Sequence, residues 1–243
     1  MRRIGFQPVF SDRLKTYPTG IPGFLTMRLP KSRRRQHESG ILAAQCALHV
    51  SSSHYGREAA VAGLSRLRLF YLLHLSKPAS DRLIYREIRR LKSRKVVEIG
   101  LHTGERAVHI IEVLKEFHDV REIHYTGIDQ FEARTAADGP GISLREAHCL
   151  LKATGARIQL VPGTASEALA RIANGVSQVE VLVISGNTSP EQLLQAWFYL
   201  PRMIDARTQV FQETLTAGGG TAMRLLGAKE IEQLKAQGDR RAA

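Results

Sequence analysis

Between residue 95 and about residue 215, short β-branched runs alternate with amphipathic stretches without a break, and this alternation limits the chain to very few folds. KVVEIG (95–100), IHYTGID (123–129), ARIQLVPG (156–163), VEVLVISG (179–186) and TQVFQET (208–214) have the length and residue types of buried strands. Between them, ERAVHIIEVLKEF (105–117), SLREAHCLLKATG (143–155), SEALARIA (166–173) and PEQLLQAWFYLPRMI (190–204) carry apolar residues at helical spacing. The spacing of these segments predicts successive βαβ units: an α/β architecture with a doubly wound, mainly parallel sheet and right-handed crossovers. Beyond AGGG (217–220), TAMRLL is read as one more strand and AKEIEQLKAQ (228–237) as a final helix.

Upstream the pattern is different. Two helical stretches are expected at 58–75 and roughly 80–92, the second capped by Ser80 or Asp81 and carrying Leu83, Ile84, Ile88 and Leu91 on one face. Residues 1–57 are interrupted by Pro8, Pro18, Gly20, Pro22, Gly23 and Pro30 and include the charged run KSRRRQHESG, which predicts a basic, weakly structured extension. The organisation expected is therefore an extension over 1–57, helices over 58–94 and one α/β domain over 95–243.

Charge follows the same division. Up to Lys95 there are 20 Lys and Arg against 5 Asp and Glu; from Val96 onward, 15 against 18. The net charge of +12 thus belongs to the N-terminal part, where it favours an anionic partner or simply stays solvated. The two cysteines, Cys46 and Cys149, have no partner spacing. That argues against a disulfide framework or zinc site and suits a reducing, cytoplasmic setting. No apolar run is long enough to predict a membrane span.

The segment VVEIGLHTGERA (96–107) stands where open α/β sheets bind ligands, beyond the carboxyl end of a strand. A triphosphate loop would need a glycine–lysine–hydroxyl ending, which is missing. A dinucleotide turn would need glycines where His102 and Glu105 stand. The imidazole obstructs the approach of a pyrophosphate to the backbone, and the glutamate repels it at the helix start. A cationic nucleoside suits the residues better. Glu98, before the first glycine, can hold an ammonium, and Asp129, ending the next strand, can accept two hydrogen bonds from a ribose diol.

VVEIGLHTGERA, followed by YTGIDQFE, IQLVPGTASEAL, VEVLVISG and TQVFQET, resembles the motif succession of Rossmann-like S-adenosylmethionine-dependent methyltransferases, nearest the small-molecule O-methyltransferase-like branch. The resemblance covers about residues 80–215. It implies S-adenosyl-L-methionine as cofactor, with Glu98, Gly100 and Gly104 along the methionine portion, His102 and Thr103 in the same turn, Asp129 and Gln130 at the ribose, Thr164 and Ala165 at the adenine, and Ser185 at the edge of the transfer site. It also implies methylation of oxygen or nitrogen on a small or medium-sized acceptor.

The chain departs from the family pattern at three places. His102 replaces a small residue of the glycine turn, Thr164 stands where many members have an aspartate, and Ser185, with Asn187 beyond it, replaces the fourth-strand acid. Serine and asparagine are poor ligands for a hard divalent cation, so no catalytic metal is expected. No general base is identifiable, and His102 is read first as a turn residue. Gly100 and Gly104 also have a plain packing explanation, and Trp197, Phe198 and Tyr199 are read as core. A second function class stands beside the enzyme: a methyltransferase-like binding module whose basic N-terminus docks on nucleic acid or an anionic surface.

Overall fold

The computed structural model describes residues 66–186, 188–216 and 220–242. Its elements in chain order are α1 (Arg66–His74), α2 (Asp81–Leu91), β1 (Lys95–Ile99), α3 (Glu105–Leu114), β2 (His124–Asp129), α4 (Leu144–Lys152), β3 (Arg157–Pro162), α5 (Ala165–Ile172), β4 (Val179–Ile184), α6 (Pro190–Ala196), β5 (Ile204–Leu215), β6 (Thr221–Leu225) and α7 (Ala228–Ala242). The extension expected over 1–57, the first part of the helix expected at 58–75, and Asn187 lie outside the described residues.

The sheet has the order β3-β2-β1-β4-β5-β6. The first five strands are parallel, and β6 returns antiparallel to β5. The order reverses between β1 and β4, which opens a crevice at their carboxyl ends. The doubly wound, mainly parallel α/β sheet expected from the alternation is the observed one.

Each strand presents alternate residues to opposite faces. On one face Val96, Tyr125, Val183 and Phe211 pack with Leu72, Ile84, Ile88, Ile110 and Ala147 from α1–α4. On the other, Val97, Ile99, Ile128, Leu182 and Val210 pack with Leu169, Trp197 and residues of α5–α7. Period two then assigns Glu98 and Asp129 to the side of α1–α4. At the edges of the sheet, β3 exposes Arg157, Gln159 and Pro162, and β6 exposes Thr221 and Arg224.

Three local outcomes differ from the sequence reading. The helix expected over 190–204 ends at Ala196, with a single 3₁₀ turn at Leu200–Arg202. Pro201 has no N–H to donate to the Trp197 carbonyl and its ring crowds that carbonyl, so the α-helix cannot run through it. The fifth strand begins earlier than expected, at Ile204, because Ile204 pairs with Val179 before the register slips to Val181–Gln209. Cys149 on α4 is not a free thiol, against expectation.

The turn after β1 is held by backbone geometry. Gly100, His102 and Gly104 all have positive φ, at 87°, 55° and 76°. A Cβ on Gly100 would lie 2.7 Å from Cβ of Ser185, and one on Gly104 would lie 3.0 Å from Cδ2 of Leu150. Gly100→Ala is therefore expected to lower unfolding free energy by about 1–3 kcal/mol in denaturant titration. Gly175→Ala, where the nearest non-neighbour atom is 3.7 Å from the new Cβ, should stay within about 0.5 kcal/mol. Equal effects at both sites would contradict this account of the turn.

Candidate functional site

At the carboxyl ends of β1, β2, β3 and β4 lies an open cleft, about 390 Å³ counting the space open to solvent, whose lining includes Gly100, His102, Asp129, Gln130, Thr164 and Ala165, together with Arg134, Asp138, Thr188 and Gln192. Six of the residues singled out in the sequence thus share one cavity. Thr103 is exposed, and Glu98, Gly104 and Ser185 are buried and do not line the cavity. Among the described residues no cluster of three or more His, Cys, Asp or Glu side chains is placed to hold a metal ion. None of the helices among them is long and apolar enough to cross a membrane.

Asp129 ends β2 with both carboxylate oxygens filled. Oδ1 accepts from Nε of Arg134 at 2.6 Å and from the backbone N–H of Phe131 at 3.3 Å. Oδ2 accepts from Nη2 of Arg134 at 3.0 Å and from the backbone N–H of His102 at 2.9 Å. Burial pushes this carboxyl up, but the Arg134 fork and the His102 amide outweigh it and hold its pKa below the usual carboxylate value. The two backbone donors come from the β1–α3 turn and from the residues after β2, so they persist when Arg134 turns away. Arg134 lies in a loop and lines the cleft itself.

His102 accepts at Nδ1 from Nη2 of Arg134, 3.1 Å away. A guanidinium only donates, so the neutral ring carries its proton on Nε2. Burial, then the charges of Arg134 and Arg106, lower the imidazole pKa. In this arrangement Nε2 is a donor, which agrees with reading His102 as a turn residue rather than a base. Thr164 is the N-cap of α5. Its hydroxyl accepts from the N–H of Glu167, and the Glu167 carboxylate accepts from the Thr164 N–H at 3.0 Å. That capping box fixes the direction in which β3 delivers Thr164 and Ala165 to the cleft.

Glu98 is in a different situation, fully buried behind the turn. Its Oε1 accepts from Nε of Arg106 at 2.6 Å, and its Oε2 accepts from the Tyr125 hydroxyl. Nη1 of Arg106 also lies 3.3 Å from Oδ1 of Asp81 and 3.3 Å from Oε2 of Glu213, while Nη2 donates to the hydroxyl of Ser185. Ser185 donates in turn to the carbonyl of Gly100 at 2.7 Å. One guanidinium therefore joins α2, β1, β5 and the end of β4, and three carboxylates share it. Burial would lower the Arg106 pKa, but Glu98, Asp81 and Glu213 raise it, and the guanidinium stays charged. Removing one partner of such a buried set typically costs about 3–5 kcal/mol.

The sequence reading missed Arg106, Asp81 and Glu213 as a group. Asp81 was considered only as a helix cap, yet its carboxylate serves Arg106. One signal was available: a cation in the first turn of α3 opposes the helix dipole and needs nearby anions to sit there. Arg134 had none, being an ordinary loop arginine in the sequence.

With three acids and one cation, burial and the neighbouring carboxylates push the Asp81 pKa up to about 6. Its unfolded value lies near 3.8, so the folded protein holds the proton more tightly. The stability contributed by this group is fully present below about pH 4 and is lost as pH rises to about 6. Asp81→Asn is expected to flatten that part of the stability–pH curve, read by thermal melts across pH 4–7. A slope identical to the parent's would show that Asp81 is not the group that titrates.

No family model matches this chain, and no curated protein does. Solved structures of similar architecture include the O-methyltransferase of Bacillus cereus in complex with SAH, 15% identical over 81% of this chain and 82% of that one, with TM-score 0.43. The O-methyltransferase TomG of Streptomyces achromogenes, involved in tomaymycin synthesis and in complex with SAM, is 14% identical over 88% and 85%, TM-score 0.44. The precorrin-6y C5,15-methyltransferase of Geobacter metallireducens is 10% identical over 63% and 70%, TM-score 0.38. Likeness at these levels carries no argument about activity, which rests on the residues of the cleft.

Proposed function

We propose that the chain is an S-adenosylmethionine-dependent methyltransferase acting on oxygen or nitrogen of a small or medium-sized acceptor without a catalytic metal. The observation that carries this reading is the convergence of Gly100, Asp129, Gln130, Thr164 and Ala165 on one cleft at the point where strand order reverses. Asp129 is the ribose partner: with Arg134 turned aside, its carboxylate remains ionised by two backbone donors and accepts from a diol. Thr164 and Ala165, delivered by β3 and the start of α5, border the adenine. The cofactor supplies an activated methyl group when bound; the protein contributes alignment and exclusion of water. His102 accepts at Nδ1 from Arg134 and so carries its proton on Nε2, and the acceptor's proton leaves to a group other than this imidazole.

Calorimetric titration with S-adenosylmethionine and S-adenosylhomocysteine tests the reading. Both are expected to bind, and Asp129→Ala to weaken each by tenfold or more, corresponding to about 1.4 kcal/mol. No heat with either ligand at high protein concentration removes the enzyme reading. Parental affinity in the variant removes the ribose assignment.

A second reading is favoured by one observation: both strand-tip acids already hold arginines of the chain itself. Under it the domain is a binding module, and the basic residues before the described region dock on nucleic acid or an anionic surface. Deleting residues 1–57 is then expected to abolish salt-sensitive RNA or anionic-vesicle binding. Absence of such binding in the full chain removes this second reading.

A further inference from the structure

The Arg106 guanidinium occupies the place at Glu98 that a ligand's ammonium would take. We infer that Arg106 is a specificity-determining residue: it makes the cleft read adenine nucleosides by their nucleoside portion and leaves the 5′ amino-acid portion unread. The inference rests on the nucleoside reading of the cleft and narrows its ligand class.

Access comes first. Gly100 and His102 line the cleft, whereas Glu98, Arg106 and Ser185 do not. Glu98 is fully buried, and the group that occupies it on this side is the Arg106 guanidinium. Saturation comes second. One Glu98 oxygen is taken by Nε of Arg106 and the other by the Tyr125 hydroxyl. For an ammonium to bind there, Arg106 would have to leave Glu98, Asp81, Glu213 and Ser185 together.

The third argument is the contrast with Arg134. Both acids hold an internal arginine, and Arg134 is anchored too, to the carbonyls of Asp138 and Pro140 and to His102, but it lines the cleft, and two backbone amides serve Asp129 independently of it. Arg106 is the second residue of α3 and is anchored at three carboxylates. A guanidinium does not discharge at any accessible pH, so protonation chemistry cannot empty the position. A hydroxyl-bearing ribose thus meets at Asp129 a cation that lines the cleft, at an acid that keeps two backbone donors without it, whereas an ammonium would have to take Glu98 from a cation outside the cleft's lining.

The test is a paired titration of the full chain with S-adenosylhomocysteine and 5′-methylthioadenosine, which share the thioether nucleoside and differ in the amino-acid portion. Dissociation constants within threefold of each other are expected. S-adenosylhomocysteine binding tenfold or more tightly overturns the inference and leaves the nucleoside reading intact. Failure of both to bind overturns the nucleoside reading itself, and the inference with it. Arg106→Met is expected to strengthen S-adenosylhomocysteine binding at least tenfold with 5′-methylthioadenosine unchanged. Equal affinities in the parent with no gain in a folded variant overturn the role of Arg106. If the variant does not fold, the parental ratio decides alone.

Discussion

One guanidinium in a carboxylate cage sets the form of this domain. Arg106 reaches from the first turn of α3 to an acid on α2, an acid on β1, an acid on β5 and a serine after β4. In the sequence these partners extend from residue 81 to residue 213. The contact is buried, so its Coulombic attraction is little screened, and the loss of any member leaves charge without compensation. Hydrophobic packing on both faces of the sheet supplies the bulk driving force, but the cage specifies how the α2 side of the sheet meets the strand tips. It also determines what remains of the crevice for a ligand.

The cage and the cleft lie on either side of one short turn, and the turn's strained backbone separates them. Positive φ at Gly100, His102 and Gly104 bends the chain so that the His102 amide faces Asp129. On the other side, the Gly100 carbonyl accepts from Ser185. The same residues thereby hold an ionised acid at the cleft and connect the turn, through Ser185, to the Arg106 cage behind it. Two carboxylates that look equivalent in sequence, each at a strand tip, have opposite fates because one is followed by a loop and the other by a helix bearing its own cation.

This contrast also explains how much was legible beforehand. The sheet, its order of elements and its flanking helices follow from periodicity, which depends on the chain alone. Asp129, Gln130, Thr164 and Ala165 were locatable because strand ends are locatable. The occupancy of Glu98 was not, since Arg106 looks like an ordinary charged helix residue until Asp81 and Glu213 are brought beside it by tertiary folding. The long helix expected over 190–204 failed for a local reason, Pro201, that the sequence did contain. Cys149 failed for the opposite reason: nothing in its local sequence marks an engaged thiol.

Among the described residues the sheet ends at β3 and β6, and these two margins bear on the behaviour of the molecule in a crowded solution. An unpaired strand margin offers backbone donors and acceptors to any other extended chain, and proteins commonly guard against it with charges and imino acids. Here the β3 margin carries Arg157 and ends in Pro162, which has no amide proton, while the β6 margin carries Arg224. Side-by-side stacking of one sheet onto another is thus opposed at both margins, and self-association through continuous strand pairing is the mode of assembly this fold is built to resist.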